Sequence, residues 1–312
     1  MRSPHTASVL PPPATSFALV VAVLAVSSSA PLIAFAAAPA LAVAFWRNGL
    51  AAVVLTPVAL LTRRTEVRGV LRRREGFLCV LAGLTLAAHF ATWMPSVQLG
   101  SVATATALVA TQPVWQGLIA AAQGRRPSTA GWIGITLAVA GAAWATGADL
   151  GVSTQAVFAD ILALLGAMAA AVYTALGERA RATLSTTTYT WICYGTCAIV
   201  LLAVCLAGGV QLRGYDGQTW AAILAIVAGA QLLGHSMFNY ALQHTSATTV
   251  SVLILLEVPG AALLAWAWLG QTPRWESLPG LALLLLGVVV VIVGAARSSR
   301  VLPSPADASL AP

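Results

Sequence analysis

Followed for the alternation of apolar and polar positions, the chain falls into long runs of Ala, Leu, Val and Gly separated by short charged or Gly/Pro-rich stretches. About 20 apolar residues carry a helix across a bilayer. The runs predict ten such helices, at roughly 16–36, 40–62, 76–98, 101–122, 130–148, 157–177, 188–207, 220–242, 246–268 and 275–295. The predicted fold class is an all-α integral membrane protein. The opening run, "SFALVVAVLAVSSSAPLIAFAAAPA", has some features of a cleavable leader, with small residues at Ala36 to Ala38. Arg2 is its only leading fixed charge and a second span follows at once, which favours retention as helix one. The flanking segments 1–15 and 297–312 are rich in Pro, Ser and Ala and read as unordered cytoplasmic tails.

One apolar run carries polar residues in a regular order. In "LLGHSMFNYALQH" and the residue just before it, Gln231, His235, Asn239 and Gln243 recur every four positions. On a helix that spacing draws a stripe along one face, drifting slowly because the true repeat is 3.6. Composition excludes a wet face on a soluble helix: 59% of the 312 residues are hydrophobic and 8% charged, where a soluble domain is about a quarter charged. Mean hydropathy is +0.87. A stripe inside a membrane protein is either a hydrogen-bonded seam or the wall of a polar path.

Charge then sets an orientation. All 16 basic residues are arginine, a bias that reads as codon usage, so the net charge of +7 implies no nucleic-acid partner. With ten spans both termini share a side, and placing them in the cytoplasm puts thirteen of the sixteen arginines inside: Arg2, the six from Arg63 to Arg74, Arg125, Arg126, Arg179, Arg181, Arg297 and Arg300. Arg213 and Arg274 are outside, with Asp149, Asp160 and Asp216 at that edge, and Arg47 is within a span. "RRTEVRGVLRRRE" accordingly reads as an orienting loop. The protein is expected in the inner (plasma) membrane, surrounded by lipid, as a monomer or homodimer. Cys79, Cys193, Cys197 and Cys205 lie inside apolar runs and read as packing residues; Cys193 and Cys197 alone are a weak metal signal.

A shift of 146 residues aligns "TQPVWQGLIAAAQGRRPSTAGWIGITLAVAG" with "EVPGAALLAWAWLGQTPRWESLPGLALLLLG". Pro113 falls on Pro259, Gly124 on Gly270, Pro127 on Pro273, Gly134 on Gly280 and Gly141 on Gly287, and the same shift carries His89 onto His235. Five spans per copy is an odd number, so residues 16–148 and 157–296 should be two inverted five-helix repeats, an arrangement that places a site near the midplane where the halves meet.

With those features in place the chain resembles the drug/metabolite transporter superfamily, EamA type. "APALAVAFWRNGLAAVVL", with its aromatic before Arg47, is similar to the family's second helix. "SVATATALVATQPVWQGLIAAAQGRRPS" and "SATTVSVLILLEVPGAALLAWAWLGQTP" resemble its two small-residue, proline-containing helices ending in a Gly turn. Members carry a glutamate after that Gly; here the positions hold Arg125 and Gln271, so no role passes from that acid. The resemblance implies export or exchange of small metabolites, amino acids among them, through a central cavity lined by both halves.

The residues themselves nominate the site. Glu257 sits deep in a span, where a carboxyl usually faces a cavity; it is the candidate proton-coupling or amine-binding acid, or else it closes hydrogen bonds freed by Pro259. Its mate Thr111 can donate and accept a hydrogen bond but cannot titrate, and is read as a substrate contact. His89 and His235, with Trp93 and Asn239 one turn on, are either packing residues or contacts for a carboxylate or a proton, and Trp115 could add an aromatic wall. Tyr240 lines the cavity or belts the membrane edge, while Trp266 and Trp268 read as interface anchors. Arg47, Pro113 and Pro259 are read as gating or structural. No catalytic residue and no cofactor is expected: "GHSM" sets Ser236 beside His235 about 100° apart, and no P-loop, HExxH or GxSxG is present. An intramembrane enzyme is the alternative reading, and a non-transporting scaffold the third.

Overall fold

The computed structural model describes residues 12–70, 72–100, 102–146, 153–269 and 275–301, and among them regular structure is helical throughout. The first half holds α1 (Pro13–Val26), α2 (Ser29–Phe35), α3 (Ala40–Thr62), α4 (Arg64–Val70), α5 (Arg74–Leu99), α6 (Val102–Val109), α7 (Gln112–Ala122) and α8 (Thr129–Thr146). The second holds α9 (Thr154–Arg181), α10 (Thr186–Ala207), α11 (Gly217–Ile226), a π-helical segment (Val227–His235), α12 (Ser236–Ala241), α13 (Ala247–Ile254), α14 (Glu257–Leu269), a 3-10 turn (Trp275–Ser277) and α15 (Leu278–Val301). Most of the two tails, Arg2, Asp149, Gly270, Gln271, Pro273 and Arg274, and the side chains of Trp268, Arg297 and Arg300, lie outside the described residues.

Among the described residues six helical stretches are long and apolar enough to cross a membrane: Pro13–Phe35, Ala40–Thr62, Arg74–Leu99, Thr154–Arg181, Thr186–Ala207 and Gly217–Ala241. Shorter apolar helices run over Thr129–Trp144, Ala247–Ala261 and Leu278–Gly294. Helices suit lipid because every backbone group in them is satisfied internally. Ile199, Leu206 and Val53 stay exposed on the outside of the bundle, an apolar surface of the kind that faces lipid.

Several rods are interrupted, each for a local reason. α1 gives way to α2 at Ser27 and Ser28, whose hydroxyls donate back to the carbonyls of Val23 and Ala25 at 2.7 Å and so compete with the helical ladder. α6 stops at Val109 and α13 at Ile254. Pro113 and Pro259 explain both breaks, because a proline ring clashes with the carbonyl four residues back and offers no N–H to it. Those carbonyls belong to Val109 and Leu255. Numbered in chain order, the described rods are α1–α2 (first), α3 (second), α5 (third), α6–α7 (fourth), α8 (fifth), α9 (sixth), α10 (seventh), Gly217–Ala241 (eighth), α13–α14 (ninth) and α15 (tenth). The π-helical turn in the eighth rod leaves the Gln231 carbonyl facing the Ser236 N–H.

Packing follows the repeat. α3 packs on α10 and α8 on α15, so each of these pairs joins equivalent helices. α5 packs on α9 as the Gly217–Ala241 rod packs on α1, and α6 and α7 meet α9 as α13 and α14 meet α1. Glycines permit the α8–α15 contact: a methyl group on Gly134 would lie 2.6 Å from Val291 Cγ2 and 2.7 Å from the Gly287 carbonyl. Gly141 and Gly287 are as tightly held. Two of the coincidences in the repeat are therefore close helix crossings, where small residues let backbones approach. A third, Gly124, ends α7 with φ +79°, a left-handed turn that favours Gly.

Candidate functional site

A cavity lies where the halves meet, lined by α1, α2, α5, α6, α7, α9, the eighth rod, α13 and α14. These are three pairs of repeat-equivalent rods, the first and sixth, third and eighth, fourth and ninth. The space open to water-sized centres is about 80 Å³, several times the roughly 10–15 Å³ that one water needs. Most of the lining is apolar, with Ser29, His89, Thr106, Gln112, Tyr173, Thr174, His235, Asn239, Ser251 and Glu257 as its polar members.

One wall is aromatic. His89 stacks on Trp93 with centroids 5.6 Å apart and planes within 5°. His89 Nδ1 lies 2.9 Å from the Gly166 carbonyl; a carbonyl only accepts, so Nδ1 carries the proton. That leaves Nε2 as the second functional nitrogen. Trp93 Nε1 is buried with no protein partner. His235 meets the Phe90 ring edge-on at 5.6 Å and lies 6.3 Å from Tyr173.

The polar stripe of the eighth rod is a seam at its ends and a cavity wall in its middle. Gln231 Oε1 accepts from Arg47 Nε at 2.8 Å, and its amide donates to Asn48 Oδ1 at 3.1 Å. Asn239 exchanges hydrogen bonds with the Tyr173 hydroxyl at 2.7 and 3.0 Å and reaches Tyr194 at 3.5 Å. At the far end Gln243 Oε1 accepts from Arg181 Nη2 at 2.8 Å, while Arg181 Nε donates to the Asn239 carbonyl at 2.9 Å. Two arginines from other helices thus hold the stripe at its extremes.

Arg47 is fully buried. Its guanidinium lies 4.2 Å above the Phe90 ring, and Nη1 donates to Ser29 Oγ at 3.4 Å. A desolvated cation over an aromatic face gains about 2 kcal/mol. Nη2 has no partner, and among the described residues the ion pair within 4 Å is Arg125–Glu178, at 2.9 Å. Arg47 is held without a carboxylate, one side-chain layer behind the cavity wall.

A model of the EamA-like transporter family matches residues 14–147 and again residues 157–293. The chain belongs to that family. It is a multi-pass membrane transporter of the drug/metabolite type. No curated protein matches the sequence. A solved structure titled only "Crystal structure of protein" is similar, with TM-score 0.75 and 20% identity, covering 91% of this chain and 98% of that one. At that identity the likeness concerns the fold.

In this EamA-family transporter the cavity gathers His89, Trp93, His235, Asn239 and Glu257. It does not gather Thr111, Trp115 or Tyr240. The Trp115 indole donates to Thr111 Oγ1 at 3.2 Å, and Thr111 donates to the Leu108 carbonyl at 2.7 Å. α7 restarts at Gln112, which turns that residue inward and leaves Thr111 about 100° away. Gln112 then donates to Thr174 at 3.1 Å. Tyr240 packs on His244 at 5.4 Å, off the cavity. Glu257 opens α14 rather than riding mid-helix. Thr106, Gln112, Tyr173, Thr174 and Ser251 line the cavity too without having stood out as site residues, and Ser29, whose "SSS" run reads as a loosened helix end, joins them. Tyr173 and Thr174 in "AAAVYTALG" were visible as polar residues inside an apolar run; Gln112 was hidden by its neighbour's repeat partner.

Proposed function

We propose that this protein is a secondary carrier with ten spans and cytoplasmic termini in the inner membrane, exporting or exchanging a small amphiphilic metabolite of the amino-acid kind. Alternating access of the two inverted halves moves the substrate, and protons supply the coupling. The observation that carries the reading is the cavity lined by three pairs of repeat-equivalent rods. Such an interface is where rocking of one repeat against the other exchanges access. Glu257, the only carboxyl in the lining, exchanges the proton or holds a substrate ammonium. His89, Trp93, His235 and Asn239 contact the substrate, the free indole N–H of Trp93 donating to it. Arg47, Pro113 and Pro259 hold and hinge the rods. No nucleotide-binding motif offers ATP as a direct source of work.

The test begins with a thermal-shift screen of metabolites in detergent and continues with counterflow of the best ligand in proteoliposomes. Saturable counterflow without covalent product is expected. A ligand converted to product would replace the carrier reading with an enzyme, and flux that never saturates would remove the binding site from it.

A further inference from the structure

α4 is a seven-residue helix, RTEVRGV, joining two long apolar rods. Around it Arg63, Arg64, Arg68, Arg72, Arg73 and Arg74 are all exposed. Among the described residues none of the six has a carboxylate within 4 Å. The nearby acids do not answer them. Glu75 is half-buried at the start of α5. Glu66 turns inward: Oε1 accepts from the Ser185 N–H at 2.8 Å, and Oε2 accepts from the hydroxyls of Ser185 and Thr188 at 2.5 and 2.6 Å. Its charge is committed to the start of α10. Val67 and Val70 are buried beneath the helix, so the arginines stand on a platform fixed at both its acid and its apolar side.

The two rods that flank the platform each carry an exposed apolar side chain at the end next to it. Leu61, at the end of α3, is 82% exposed, and Phe77, in the first turn of α5, is 62% exposed. Guanidinium groups recognise phosphate oxygens in paired hydrogen bonds, and basic clusters next to a membrane span attract anionic headgroups by roughly fivefold in affinity per arginine. A soluble phosphate would satisfy the guanidiniums and leave Leu61 and Phe77 uncovered. A phospholipid covers both. We propose that the Arg63–Arg74 connection binds anionic phospholipid, its phosphate held by the arginines and its acyl chains lying on Leu61 and Phe77. The site needs the fold alone and stands apart from the carrier reading.

The purified full chain is equilibrated with vesicles of phosphatidylcholine and phosphatidylglycerol, re-extracted in mild detergent, and its retained lipid quantified by mass spectrometry. Phosphatidylglycerol should be enriched over its bulk share, and Arg64→Gln with Arg68→Gln should lower that enrichment roughly tenfold or more; Arg63 and Arg72 to Arg74 remain to preserve orientation. Rising salt should erode the wild-type enrichment, a readout that needs no variant. Equal retention of the two lipids, enrichment that survives both substitutions, or enrichment indifferent to salt would overturn the proposal. Displacement of the lipid by millimolar inorganic phosphate would also overturn it, in favour of a soluble anion site.

Discussion

The fourth and ninth rods are the same device built twice and equipped differently. Each breaks just ahead of a proline, α6 from α7 at Ala110–Thr111 and α13 from α14 at Leu255–Leu256. In the ninth rod the residue after the break, Glu257, lines the cavity. In the fourth its equivalent, Thr111, is bound to Trp115 and the Leu108 carbonyl, and the cavity receives Gln112 instead. Backbone geometry has kept the repeat where chemistry has abandoned it. The alternating access proposed above uses the similarity of the two halves, whereas the proposed coupling to one proton needs one titratable group, and the asymmetry sits in the side chains.

The largest expected effect removes the acid. Glu257→Gln should abolish pH-driven accumulation, which for one proton is worth about tenfold per pH unit, while counterflow persists. Accumulation unchanged in the glutamine variant would take Glu257 out of the mechanism. Moving the acid across the repeat sharpens the contrast: adding Gln112→Glu to Glu257→Gln should restore part of the accumulation, and adding Thr111→Glu should restore none. Rescue by the threonine position alone would mean that the fourth rod turns its other face inward during transport.

Next in size is the seam that holds the eighth rod against the sixth. Asn239→Ala removes the partner of Tyr173 and the longer contact with Tyr194. It should cost about 0.6–1.7 kcal/mol per lost bond and raise the half-saturation concentration in counterflow several-fold; Trp93→Phe, which keeps an aromatic ring in the core and removes the unpartnered indole N–H, should alter affinity with less loss of thermal stability. Identical melting shifts for the two would deny them separate roles.

The smallest effect lies at the membrane edge. Burial works against the Glu66 charge, but the hydrogen bonds from Ser185 and Thr188 and the nearby Arg63 outweigh it and hold the carboxyl below its ordinary value of 4.5. A lowered folded-state value means stability fully present above 4.5 and lost as pH falls through the folded value. Melting temperature in detergent should therefore decline on acidification more steeply for wild type than for Glu66→Gln. Parallel curves would show that this carboxyl contributes nothing to the pH dependence.

Much of this was open to reading in advance. Apolar runs about 20 residues long leave a chain few choices but helices in lipid, and the Gly and Pro coincidences at a 146-residue shift carry the two-fold repeat. Their physical content is local: a proline breaks its own helix, and a glycine admits a close neighbour wherever it stands. Gln231 and Gln243 were legible as part of a stripe, but their arginine partners were not, because Arg47 and Arg181 reach them from helices 184 and 62 residues away in the chain. The repeat pointed to Thr111 because Glu257 is its mate, whereas the cavity faces Gln112. Which face of a rod turns inward depends on how the chain restarts after a break and on what packs behind it. A rotation of about 100° per residue makes one position enough to exchange a lining residue for a packing one. Residue types and their spacing were set by the sequence; the azimuth of each rod was decided only when all of them packed together.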